Sequence, residues 1–150
     1  MRAVVQRVKE AKVEVAGELV SRIGVGFLVL LGVGAGDDST DADYMVRKIA
    51  TLRIFHDRDG RMRRSLAEVD GAAVLVVPQF TLYGDVRKGT RPSFSNAAAP
   101  DLGRRLYEEV LAGLRELEIP TRGGSFREMM QVTLLNDGPV TILLDSKKRF

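Results

Sequence analysis

From Val25 to Val33 the chain reads VGFLVLLGV, nine residues without one polar side chain. A membrane span needs ~18 such residues or more. At half that length, and punctuated by glycines at 26 and 32, the segment reads as a strand buried in a protein core. The flanking sequence predicts sheet on both sides of it. Residues 2–8 alternate as a strand. Lys12-Val13-Glu14-Val15 alternates polar and apolar and returns after Ala16-Gly17-Glu18, which predicts a hairpin. Ala72 to Val77 reads as a short buried strand, and 130–135 and 140–145 as the closing strands.

Two segments carry helical spacing instead. Thr40 and Asp43 have the spacing of a capping box, opening a helix that runs to about Leu52 with Met45, Ile49 and Leu52 on one face. Asp101 to Leu117 places Leu102, Leu106, Val110 and Leu114 on a buried stripe, and Pro120 stops it. Between them, Asp57-Arg58-Asp59-Gly60 is a tight turn. Strands, helix, strands, helix, strands, with mostly short connections, predict an α+β fold with antiparallel pairing. The 150 residues, 45% hydrophobic, suit one domain, 1–150, with a sizeable core.

The chain has no cysteine and one histidine, His56. Disulfides and thiolate metal sites are excluded, and zinc is disfavoured. A Ser-His-Asp mechanism would have to use His56, and no G-x-S-x-G elbow is present. The 57–60 turn lacks the later ligands of a calcium loop. In Gly32-Val33-Gly34-Ala35-Gly36, the third glycine of a dinucleotide loop would fall at Asp37, next to Asp38, and two carboxylates would repel a pyrophosphate. The N-terminus lacks the apolar core of a signal peptide, so a cytoplasmic location is expected. The net charge of +3 permits a nucleic-acid partner without demanding one.

Three stretches remain. In Val77-Pro78-Gln79-Phe80-Thr81-Leu82-Tyr83-Gly84-Asp85, Gln79 and Thr81 share a face of extended chain, and the N–H groups near Phe80 are placed to hold a developing oxyanion. From this stretch alone, a strand simply leaving the core is the plainer reading. Arg87-Lys88-Gly89-Thr90-Arg91-Pro92-Ser93-Phe94 suits a loop that grips phosphate, or an exposed basic loop. Asn136-Asp137-Gly138 alone would make a hairpin turn, but Pro139 follows it. Either a cis Gly-Pro kinks the chain and leaves its carbonyls projecting, or a trans proline begins an edge strand.

Taken together these stretches resemble the D-aminoacyl-tRNA deacylase family over essentially the whole chain. The resemblance rests on five ordered signatures: Met1-Arg2-Ala3-Val4-Val5-Gln6-Arg7-Val8; Ile23 to Val33; Gln79-Phe80-Thr81-Leu82; Gly89 to Phe94; and Met130-Gln131-Val132 through Asn136 to Thr141. It implies an α+β fold, mainly antiparallel sheets forming a barrel-like core with two principal helices, in a cytoplasmic homodimer. It implies hydrolysis of the ester of D-aminoacyl-tRNA, and of glycine mischarged on alanine tRNA, without metal or cofactor. Gly138 and Pro139 would be cis, lent by one subunit to the other's pocket, with Arg7 supporting them. Their carbonyls would exclude an L side chain. Gln79, Phe80 and Thr81 would form the catalytic loop, assisted by the tRNA 2′-hydroxyl. Met130 would contact the terminal adenine, and Arg87, Lys88 and Arg91 the tRNA backbone. One departure stands out: Pro78 replaces the serine common in the family before Gln-Phe-Thr-Leu. That favours the rival reading, a non-catalytic dimeric module that binds tRNA ends.

Overall fold

The computed structural model describes residues 1–150. Its strands are β1 (Arg2–Val15), β2 (Glu18–Ile23), β3 (Gly26–Gly32), β4 (Phe55–His56), β5 (Met62–Arg64), β6 (Ala73–Pro78), β7 (Thr121–Gly123) and β8 (Met130–Asp145). The helices are α1 (Ser39–Thr51) and α2 (Pro100–Glu116). β1 organises the sheet. One edge pairs along its whole length with β8; the other pairs first with β3 and then with β2, all antiparallel. β3 continues to β6 and β6 to β7, both parallel. These two pairs depart from the antiparallel expectation because a helix crosses over between the strands of each, and a crossover brings the chain back in the same direction. The Ser21 hydroxyl on β2 donates to the Gly123 carbonyl on β7 at 2.7 Å. The sheet therefore curls into a nearly closed barrel. The expected α+β, barrel-like architecture with two principal helices is what is found.

β3 is as buried as its composition requires: Phe27, Leu28, Val29 and Leu31 are all 2% exposed or less. Val74 to Val77 of β6 are likewise covered. Val5, Val29 and Val76 face the two helices, whose stripes of Met45 and Ile49 and of Leu106, Val110 and Leu114 close the larger core. Gly113 lets α2 approach α1. A Cβ there would lie 2.8 Å from Val46 Cγ2.

One local expectation is corrected. The capping box of α1 is Asp38 with Asp41, not Thr40 with Asp43. The Asp38 carboxylate accepts from the Thr40 N–H at 2.9 Å, and Asp41 accepts from the Asp38 N–H at 2.9 Å. Asp38 precedes the helix and is free to adopt the extended cap conformation. The stretch 136–141 does not make the turn that Asn136-Asp137-Gly138 alone would. β8 runs through it, antiparallel to β1 on both sides, and the extra residues form a bulge opposite Arg7.

Candidate active site

β6 ends at Pro78, opposite Leu31 of β3. Proline has no N–H, so the next residue makes the anchoring bond: Gln79 N–H donates to the Leu31 carbonyl at 2.8 Å. The chain then tightens into a 3-10 turn, Phe80–Tyr83. The first donor used by the turn is the Leu82 N–H, to the Gln79 carbonyl at 3.3 Å. The N–H groups of Phe80 and Thr81 come before it and are not consumed by the turn. The Gln79 amide donates to the Thr81 hydroxyl, so the two polar side chains brace each other. Beneath the turn, the Tyr83 hydroxyl donates to Asp37 at 3.2 Å. Arg2 donates to the Leu82 carbonyl at 3.0 Å and lies over the Tyr83 ring at 4.7 Å.

Gln79 and Phe80 border a cavity of about 420 Å³ whose walls include Leu31, Val33, Phe94, Tyr107 and Phe126. Phe80 and Phe94 meet edge to face at 5.1 Å, both well exposed. The Tyr107 hydroxyl donates to the Val76 carbonyl at 2.9 Å and accepts from the Gly124 N–H at 3.1 Å. Burial pushes this phenol up to about 12, so it stays neutral at physiological pH. No carboxylate or imidazole lines the cavity. Such a site can bind a flat apolar group and polarise a carbonyl at its rim, but it holds no general base. Met130 belongs to the same neighbourhood. Its sulfur and the Pro78 ring lie on either side of Gly124, 3.0 and 3.2 Å from the point a Cβ there would take.

Gly138 and Pro139, joined by a cis peptide, lie elsewhere in the protomer. The guanidinium of Arg7, 2% exposed as a residue, spans beneath the bulge. Its Nε donates to the Asp137 carbonyl and pairs with the Asp137 carboxylate, each at 3.2 Å, and Nη1 donates to the Ile54 carbonyl at 2.5 Å. Arg7 is opposite Phe27, and Phe27 opposite Val74, five residues before Gln79. Along the strands alone the bulge is therefore roughly 15 Å from the Gln79 turn. One chain does not bring the two together. Asn136 beside the bulge has a buried side-chain oxygen without a hydrogen-bond partner.

The family model described as D-Tyr-tRNA(Tyr) deacylase matches residues 4–145. The chain belongs to the D-Tyr-tRNA(Tyr) deacylase family. Proteins named D-aminoacyl-tRNA deacylase from Thermosipho africanus (strain TCF52B) and Syntrophobacter fumaroxidans (strain DSM 10017 / MPOB) are 54% and 57% identical over 150 residues, the full length of each. One from Thermus aquaticus is 56% identical over 149 residues, 99% of this chain and 97% of its own. Among solved structures, the c-Myc DNA Unwinding Element Binding Protein superposes with a TM-score of 0.89 at 42% identity, over 97% of this chain and 98% of that one. A probable eukaryotic D-amino acid tRNA deacylase has a TM-score of 0.80 at 20% identity, over 95% and 97%, and shares the fold.

Set against the deacylase family's motif, Gln79, Phe80, Thr81 and Met130 are together, while Arg7, Gly138 and Pro139 form a second cluster. The basic loop is closed at its neck by Asp85 and Ser93, whose backbones bond mutually at 2.8 and 2.9 Å. Arg87 does not reach out from it freely. Its guanidinium is forked onto Asp85 at 2.6 and 2.9 Å and holds that carboxyl at about 2. Lys88 and Arg91 are exposed. Sequence reasoning missed Tyr107 and Phe126. Tyr107 reads as one more core position of α2. Phe126 follows Gly123-Gly124, a pair whose missing side chains let the Tyr107 hydroxyl and the Met130 sulfur close in.

Proposed function

We propose that the chain hydrolyses the ester between a D-amino acid and the 3′-terminal ribose of tRNA, and the ester of glycine mischarged on alanine tRNA. It acts in the cytoplasm as a homodimer in which each site combines one subunit's Gln79 turn with the partner's Gly138 and Pro139. The observation that carries this reading is the gap of roughly 15 Å within one chain between two clusters that the family's chemistry needs side by side. A two-fold axis can set one subunit's turn beside its partner's bulge. β8 supports it further. This strand pairs only with β1, and its exposed Leu135 and Leu143 are what a second copy would cover.

In this reading the terminal adenine enters the apolar cavity beside Met130, leaving the ester at the Gln79 turn. Water adds to the ester carbonyl carbon. The Phe80 and Thr81 N–H groups hold the oxyanion that forms, and the Gln79–Thr81 bond keeps the turn in shape. The cavity wall offers no base, so the substrate's 2′-hydroxyl helps remove the water proton. The bond to the 3′-oxygen then breaks, that oxygen takes up a proton, and free tRNA and amino acid leave. The partner's Gly138 and Pro139 carbonyls fill the space an L side chain requires. A D side chain points away, and glycine has none. Lys88 and Arg91, with Arg87 behind them, face the tRNA backbone.

Incubation with D-tyrosyl-tRNA and L-tyrosyl-tRNA tests this. The D ester should be cleaved and the L ester spared. If neither is cleaved faster than in buffer while tRNA still binds, the chain is a tRNA-end-binding module, the reading Pro78 favours.

A further inference from the structure

Residues 53–64 (RIFHDRDGRMRR) hold Arg53, Arg58, Arg61, Arg63 and Arg64 against Asp57 and Asp59, a surplus of three positive charges. The whole chain's net charge is also +3. This hairpin and the residue pair before it are thus one of the strongly basic segments of a chain whose charge is otherwise mixed. We propose that this β4–β5 hairpin grips the phosphate backbone of the tRNA whose 3′ end lies in the partner subunit's site. The proposal rests on the deacylase reading above.

Arg53 and Arg64 at the hairpin's root lie near Glu68, but its tip presents its cations rather than neutralising them. Asp57 spends its Oδ1 on the turn, accepting from the N–H groups of Asp59 and Arg61 at 2.9 Å each. Its only guanidinium neighbour is Arg63, at 3.8 Å. Arg64 turns back to the Glu68 carbonyl. Arg58 and Arg61 flank the tip, exposed and without an acidic partner. The tip is rigid, with the Asp57 N–H donating to the Arg61 carbonyl at 2.8 Å. The root is fixed as well: Phe55 stacks on Phe27 in the core at 5.1 Å and 8° between planes. Like charges held together on a two-stranded ribbon oppose folding. A polyanion that releases its counterions as it docks offsets that cost.

Position decides which tRNA is meant. The Ile54 carbonyl at the hairpin's root and the Asp137 carbonyl beside Gly138 are held by the same Arg7 guanidinium. The hairpin thus travels with the bulge. In its own protomer it stands at the end of β3 away from the Gln79 turn. In the dimer it stands beside the partner's turn, where the acceptor end of the substrate leaves the pocket.

The test is a triple variant, R58Q/R61Q/R63Q, assayed on D-tyrosyl-tRNA and on 3′-O-D-tyrosyl-adenosine, which has no backbone to grip. For the tRNA, KM should rise roughly fortyfold or more at about 50 mM salt with kcat unchanged. Each lost contact should remove about 0.7–0.9 from the slope of log KM against log salt. The wild-type KM should therefore rise roughly twenty- to fortyfold more than the variant's between about 50 and 200 mM salt. Kinetics on the adenosine ester should not change, and R58K/R61K/R63K should restore most of the tRNA affinity. Unchanged tRNA KM and salt slope would overturn the proposal, and so would an equal effect on both substrates. If the wild type cleaves neither ester, the deacylase reading fails, and the same salt titration of uncharged-tRNA binding still judges the hairpin. Mixed dimers settle the subunit. With one turn silenced by Phe80→Pro, KM should follow the silenced subunit's hairpin. If it follows the live subunit's own, the cross-subunit assignment is wrong.

Discussion

Gly138→Ala perturbs the proposed chirality device with one methyl group. Gly138 has φ +122, a region in which a side chain costs about 1–3 kcal/mol. The new Cβ would lie 2.7 Å from Val140 Cγ2, 2.8 Å from Arg7 Nη2 and 3.2 Å from Val140 N. Val140 has some room to rotate, but Arg7 is held between Asp137 and Ile54. Displacing it gives up about 1 kcal/mol per hydrogen bond, so the total is about 2–4 kcal/mol. Two outcomes follow from that figure. If the bulge keeps its shape, the Tm falls by roughly 5–15 °C for a chain of this size. If it relaxes, the Tm recovers but the carbonyls move. The ratio of kcat/KM for D- over L-tyrosyl-tRNA then falls by about tenfold for each 1.4 kcal/mol of lost exclusion. Gly36→Ala is the control, since a Cβ at Gly36 meets nothing within 4 Å. Gly138→Ala with both the Tm and the D/L ratio of the wild type would refute the reasoning.

Other substitutions separate the remaining parts. Arg7→Met leaves the buried Ile54 carbonyl and the half-buried Asp137 carbonyl without donors and should cost about 2–4 kcal/mol by denaturant unfolding, with loss of selectivity. Thr81→Ala should retain most of kcat, whereas a substrate ending in 2′-deoxyadenosine should resist cleavage; the reverse pattern would make Thr81 the nucleophile. Leu143→Arg should shift the protein to monomers in sedimentation and abolish turnover, because it charges the exposed face of β8. Acid sensitivity should trace partly to Asp41. Burial pushes its carboxyl up, but hydrogen bonds from Lys147, Ser146 and the Asp38 N–H, with the nearby α-amino group, outweigh this and hold it at about 2. The folded value lies below that of an unfolded aspartate, ~3.9. Its stabilisation is therefore complete above about pH 4 and is lost as the pH falls towards 2. Asp41→Asn should flatten unfolding free energy across that window.

The parts of this molecule legible in its sequence are those where one physical signal acts alone. The Val25–Val33 run is buried or half-buried from Gly26 on, with Val25 exposed at its edge, and the stripes of α1 and α2 face the core as their spacing predicts. The Asp57–Gly60 turn is equally local. Where two signals compete, local sequence does not decide the outcome. Asn-Asp-Gly favours a hairpin, but long-range pairing of β8 with β1 overrides it and absorbs the residues as a bulge. Thr40 and Asp38 both fit a cap, and only the start of α1 decides between them. The parallel pairings are invisible locally because they depend on where α1 and α2 return the chain. At the site, the Gln79 turn is marked by its motif, whereas Tyr107 and Phe126 enter through tertiary packing around two glycines. The separation of the Gly138 bulge from that turn belongs to the register of four strands.

The most direct test is a structure of the protein in solution-state stoichiometry with a non-hydrolysable 3′-D-aminoacyl-adenosine analogue. The partner's Gly138 and Pro139 should pack against the ligand's α-carbon, with its carbonyl oxygen facing the Phe80 and Thr81 N–H groups. A ligand enclosed by one chain alone, with both bulges turned to solvent, would contradict the account.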